Sequence, residues 1–249
     1  MEIQRILDKY DRLMDQKEFT EAGRHLNYWI GEAKTEKVDR SVFTLLNELV
    51  GFYRMQGAKK ETVEAIGRLM DQTEKMAIGG TVSGATAYLN AATGYKSAGM
   101  PEKTLELYRK TEKIYERDLA PFDKRRSALY NNMALTLTEL KMFDEAAENY
   151  NKALNVLEKT EDSENEKAIT LLNMADLAYA SMTQEEAELK IDAYVNEAFG
   201  LLTVSHNNKN TEFSFTAEKC IPAVKYHGYF MLARKLEEML ADEKNHKNS

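Results

Sequence analysis

The sequence predicts an all-α protein assembled from repeated helical hairpins, and three observations carry that prediction. Apolar residues recur at i, i+3, i+4 and i+7 along most of the chain, the spacing of one helical face. Only three prolines interrupt 249 residues, so long helices are permitted. The small residues Thr62, Thr104 and Ala146 stand at equal intervals of 42 residues, each early in the second helix of a matching unit.

The defining unit begins at Tyr130, in a stretch without proline or glycine: "YNNMALTLTELKMFDEAAENYNKALNVLEK". Tyr130, Met133, Ala134 and Leu137 share one face of a first helix, and "KMFDE" turns the chain, with Asp144 suited to a helix start. Ala146, Tyr150, Ala153 and Leu154 stripe the second helix. Ala134 and Ala146 let two backbones approach while larger residues fill the seam. The unit before it repeats the beats with Tyr88, Ala91, Ala92 and Tyr95, then Thr104, Tyr108 and Thr111. The one before that uses Leu46, Leu49, Val50 and Tyr53, then Thr62, Ile66 and Leu69.

Weaker copies flank these three. Ile6, Tyr10 and Leu13 lead to Ala22, Leu26 and Trp29 on the N-terminal side. On the other side, Leu171, Met174, Ala175 and Ala178 lead to Ile191, Val195 and Ala198. A last pair runs from Ala217, Cys220, Ile221 and Val224 to Gly228, Phe230, Ala233 and Leu240. About six hairpins result, the outer ones degenerate as capping repeats should be. An apolar stripe at helical spacing is core, and that is the expectation for the tyrosines and methionines named.

The connections read as turns. "MAIGGTVSGATAY" is a helix C-cap and loop; no Gly-Lys-Ser/Thr follows and no alternating strand precedes it, so it is no phosphate cradle. "LAPFDKRRSA", "KTEDSENEKA" and "TVSHNNKNTEFSF" are connections too short to divide independent domains. One array over 1–249 is expected, with a short disordered tail near 243–249.

These beats (aromatic, apolar, small, aromatic, then alanine and aromatic) resemble the tetratricopeptide repeat, whose usual period is about 34 residues. The longer interval here is close to one extra turn in each helix at ~3.6 residues per turn. Long repeats of this kind are similar to those of kinesin light chains and bacterial peptide-pheromone receptors, and "NNMA" from Asn131 is similar to a motif of that subgroup. The resemblance is strong from Leu46 to Leu157 and loose outside; the family's tryptophan and terminal proline are absent. It implies a right-handed superhelical solenoid of about six stacked helix-turn-helix hairpins, with a concave groove lined by one flank of each first helix, where peptides lie.

Composition narrows the partner. A net charge of −7 argues against nucleic acid, whose phosphates need a basic patch, and Lys124, Arg125 and Arg126 read as a solvated linker. No run of signal-peptide or membrane-span length occurs, and the lone Cys220 forbids an internal disulfide or thiolate cluster. A cytoplasmic protein without membrane contact is expected.

Catalytic constellations are lacking. His25, His206, His227 and His246 are scattered without a His-Glu-x-x-His helix, and no serine nucleophile elbow occurs. His206 and His246 are expected in loop and tail, His227 at a helix end, and Cys220 as a small buried hydrophobe. The prediction is no enzyme, no cofactor and no metal.

On the flank set by the resemblance lie Asn131, Leu135 and Thr138, with Asn47, Gly51 and Arg54 in the second unit. Leu89, Thr93 and Lys96 follow in the third, and Leu172, Asp176 and Tyr179 in the fifth. Asn90, Asn132 and Asn173 recur at nearly the same interval, although asparagine is a poor mid-helix residue. Either these amides clamp a peptide backbone, or each bonds a neighbouring helix and fixes the stacking. The candidate peptide-binding residues are therefore Asn47, Arg54, Asn90, Lys96, Asn131, Asn132, Asn173, Asp176 and Tyr179. The expected function is a non-catalytic module that binds a peptide or partner segment. The alternative is a signalling-peptide receptor; because the repeats begin almost at Met1, it would act through a separate effector chain.

Overall fold

The computed structural model describes residues 1–247 and, among them, forms twelve α-helices. They are α1 (Ile3–Asp15), α2 (Phe19–Thr35), α3 (Asp39–Met55), α4 (Lys59–Lys75), α5 (Val82–Ser97) and α6 (Pro101–Asp118). Then follow α7 (Lys124–Glu139), α8 (Phe143–Glu158), α9 (Glu164–Ser181), α10 (Gln184–Asn207), α11 (Phe213–Tyr226) and α12 (Phe230–Lys247). Consecutive helices pair as hairpins, which fall into two compact units, Met1–Leu119 with α1–α6 and the part from Ala120 with α7–α12. Within the first unit α2 packs on α3 and α4 on α5; within the second, α8 packs on α9 and α10 on α11. First helices also touch: α3 meets α5, α7 meets α9, and α9 meets α11. Each unit is thus an all-α stack of helix pairs.

The 42-residue beat has a physical basis in the packing. Thr62, Thr104 and Ala146 are all fully buried, and so are Ile66, Tyr108 and Tyr150, one turn later in the same three helices. A small residue at the closest approach and a large one beside it fill equivalent positions three times. The two threonine hydroxyls donate back to Ala58 O at 2.8 Å and Met100 O at 3.0 Å, so neither is buried unsatisfied.

The turns share the beat. Gly57, Gly99 and Lys141 occupy left-handed backbone at φ 66°, 80° and 59°. In each turn the next residue donates back across the helix end: Ala58 to Tyr53 O, Met100 to Tyr95 O and Met142 to Leu137 O, at 2.9–3.0 Å. Glycine adopts this conformation freely, whereas a side chain meets the following carbonyl. Replacing Lys141 by glycine is therefore expected to raise stability by about 0.5–1 kcal/mol. An increased urea midpoint would show it; a lower one would contradict it.

Several expectations need correction. Trp29 is only half-buried, and the core position next to it is filled by Ile30, 1% exposed. Tyr53, Tyr88 and Tyr95 are half-buried, whereas Tyr10, Tyr108, Tyr130 and Tyr150 are core. Gly228 and Phe230 face solvent, Phe230 being 66% exposed, and the stripe of α12 starts at Ala233 and continues through Leu236. "TVSHN" is helical, because α10 runs to Asn207; His206 sits in its last turn, its ring centroid 4.9 Å from that of Phe213. Of the tail expected over 243–249, α12 carries the backbone to Lys247. Residues 248 and 249, and the side chains from 244 on, His246 among them, lie outside the described residues.

Cys220 is buried, as its beat implies, and burial pushes its thiol up to about 12. Burial foremost raises Tyr10 to about 12 as well, with Glu48 and Asp11 adding to it. Groups with raised folded pKa values contribute stability that is complete below their unfolded values, about 8.5 for cysteine and about 10 for tyrosine. That contribution is lost as pH climbs through about 12. The protein is expected to lose stability progressively above about pH 9. At pH 8 the folded chain should leave Ellman's reagent unreacted until denaturant is added; rapid colour without denaturant would place Cys220 at the surface.

Candidate functional site

The candidate site is the face presented by the first helices, and side-chain rungs cross it from helix to helix. In the first unit Asn90 of α5 donates through Nδ2 to Asn47 Oδ1 of α3 at 2.9 Å, while Asn47 Nδ2 bonds Phe43 O at 3.0 Å. In the second unit Asn173 of α9 donates to Asn131 Oδ1 of α7 at 3.1 Å. These amides tie α5 to α3 and α9 to α7. All four are only half-buried, and a primary amide has two N–H groups and two acceptor lone pairs, so a rung leaves capacity for a ligand.

The remaining predicted residues are distributed along the same helices. Arg54 is exposed in the last turn of α3, and Lys96 is half-buried in the last turn of α5. Asn132 is half-buried in α7, while Leu172, placed on this flank by the sequence, is core at 3% exposure. The structure brings Asp176 and Tyr179 of α9 together with a partner that the sequence did not assign to the face. That partner is His227, the residue capping the C-terminus of α11. His227 Nε2 and Asp176 Oδ1 are 2.8 Å apart, and the imidazole is nearly all buried.

Aromatic rings gather around this rung. Tyr179 and Tyr226 meet edge to face, with centroids 5.7 Å apart and planes at 79°. Tyr226 and Tyr179 also flank the His227 ring, at 5.2 Å and 6.3 Å. Tyr229, just past the turn, donates its hydroxyl to Asp192 at 3.0 Å. Burial first, then that hydrogen bond and the charges of Asp192 and Glu188, push its phenol up to about 12. The hydroxyl of Tyr179 foremost, then burial and Asp176, raises Tyr226 as well. An open pocket of about 940 Å³ lies here, bounded by the tyrosines, Met182, Ile191 and Ala187, with Glu188 and Gln184 as its polar edge.

The sequence missed Tyr226, His227 and Tyr229 because no periodic signal marks them. Asp176 and His227 are 51 residues apart in sequence, off the 42-residue beat, since the 24-residue α10 lengthens the intervening hairpin. The available signal was the "YHGY" run itself, three rings crowded onto one hairpin turn. Among the described residues no group of three or more His, Cys, Asp or Glu side chains is placed to hold a metal ion, and no helix is long and apolar enough to cross a membrane.

The fold of this architecture is TPR-like. The family model for the tetratricopeptide repeat matches residues 125–190, from the start of α7 into α10. Among solved structures, the chain is similar to a Podosopora anserina kinesin light chain-type protein with nearly identical TPR-like repeats. That likeness has a TM-score of 0.53 and 18% identity, over 81% of this chain and 94% of the other. A single-substitution form of that protein gives 0.57 and 19%, over 82% and 95%. BtubC (BKLC) from P. vanneervenii gives 0.59 and 17%, over 100% and 93%. At such identities the likeness is one of fold. No curated protein matches the chain.

Proposed function

We propose that this protein is a non-catalytic interaction module whose first-helix face binds a peptide or an extended segment of a partner protein. The observation that carries the reading is the pair Tyr179 and Tyr226, 61% and 66% exposed on adjacent first helices beside an open pocket. Large aromatic side chains supply contact area at low entropic cost and are enriched among the residues that dominate binding energy. Upstream of them, the half-buried Asn131–Asn173 rung offers donors and acceptors suited to a peptide backbone. The TPR-like fold supports an interaction role in the same direction.

The test compares capture of native partners by the full chain and by a Tyr179→Ala/Tyr226→Ala variant. Both side chains are largely exposed, so the variant is expected to keep its melting temperature within about 2 °C. It should lose proteins that the unaltered chain retains. Identical capture by both would move binding away from this face.

A further inference from the structure

We propose that the pocket beside α9 and α11 receives a cationic side chain, a lysine or arginine of the bound segment, against the rings of Tyr179 and Tyr226 and facing Glu188. This rests on the peptide-binding reading above and adds the chemistry of one position in the peptide. The two rings stand nearly perpendicular at 5.7 Å, forming two aromatic walls rather than one stacked surface. A cation within about 6 Å of a ring centroid is attracted by the quadrupole of the ring, most strongly where water is excluded. Met182, Ile191 and Ala187 supply an apolar lining beside the rings.

The charges around the pocket have one sign. Glu188 is on its edge, and no lysine or arginine lines it among the described residues. Asp176 bonds His227 at 2.8 Å and Asp192 accepts from Tyr229 at 3.0 Å, so two more carboxylates adjoin residues that line the pocket. The lysine of the adjoining helix end, Lys225, is engaged with Glu237 at 2.6 Å. An acidic residue entering here would meet the Glu188 carboxylate, and an apolar one would strip water from Glu188 without replacing it. A long amphipathic cation satisfies both demands, laying its methylenes on the rings and its charge toward Glu188. This chain already uses the same contact internally: the Lys219 ammonium lies 3.8 Å from the centroid of the Phe215 ring.

The test selects binders to the full chain from a phage-displayed library of random nine-residue peptides, then measures the best clone as a fluorescein-labelled synthetic peptide by anisotropy. Selected sequences should share a lysine or arginine at one position, and norleucine there should weaken binding about threefold to thirtyfold. Tyr226→Leu should cost a similar factor with an unchanged melting temperature. Glu188→Lys should also weaken the basic peptide and favour its glutamate-substituted counterpart. Peptides that bind with no shared cation, or that tolerate norleucine fully, would overturn the cationic subsite while leaving the peptide-binding function standing. A library yielding no binder above background would overturn that function, and the subsite with it.

Discussion

Tyr150→Ala is expected to cost about 3–5 kcal/mol of folding stability, the range for removing a large ring from a packed interior. Tyr150 is fully buried in α8, on the beat shared by Ile66 and Tyr108, and beside the close approach at Ala146. Its hydroxyl hydrogen-bonds Thr138 of the paired helix α7, while burial raises its phenol strongly. Alanine would leave a ring-sized void at the seam of the α7–α8 hairpin, while the Thr138 hydroxyl keeps its bond to Ala134 O at 2.9 Å. At about 2–4 °C per kcal/mol for a chain of this size, the transition of the Ala120-onward unit should fall by roughly 6–20 °C. Tyr226→Ala is the control: the same residue type, 66% exposed, with little expected change. Equal small shifts for the two tyrosines would mean that the beat does not mark the core.

Gly84→Val should be comparably damaging for a different reason. A Cβ at Gly84 would sit 2.2 Å from Ile78 O and 2.9 Å from Gly79 Cα, contacts with backbone that cannot rotate aside. The chain folds so closely onto the first turn of α5 because Ala77 takes a left-handed φ of 53° and Thr81 caps the helix, accepting from Gly84 N at 3.2 Å. A side chain forces the loop and α5 apart, for an expected loss of about 3 kcal/mol in the Met1–Leu119 unit. Gly67 of α4 meets nothing within 4 Å, so Gly67→Ala should instead gain about 0.5–1 kcal/mol from helix propensity. Thermal denaturation of the two variants checks both signs. Opposite signs are predicted; a mild effect at Gly84 would mean that the loop approaches less closely.

The sequence showed most of the fold because its packing constraint is local and repeated. Close helix approach demands a small residue, and equal hairpins place that demand at equal intervals, so Thr62, Thr104 and Ala146 were readable without coordinates. Register within a helix was less legible. Trp29 and Ile30 are both apolar and only about 100° apart around the axis, and the choice between them is made by what packs opposite. Phe230 looked like core because it is large and apolar, yet it lies just past a turn, where the chain has not re-entered the seam.

The site was half legible. Asn90, Asn132 and Asn173 recur at nearly the repeat interval and could be seen, although only geometry shows that Asn173 bonds Asn131, the neighbour of Asn132. Asp176 and Tyr179 were on the predicted flank, but their companions come from a turn displaced by the long α10. A contact across 51 residues, fixed by tertiary packing, leaves no periodic trace.

The claim that the first-helix face receives the partner is tested most directly by hydrogen–deuterium exchange on the full chain, with and without a saturating selected peptide. Slowed exchange is predicted in the C-terminal turns of α9 and α11, around Asp176–Tyr179 and Tyr226–Tyr229. Protection confined to α12 and the C-terminal half of α10, with those two segments unchanged, would contradict it.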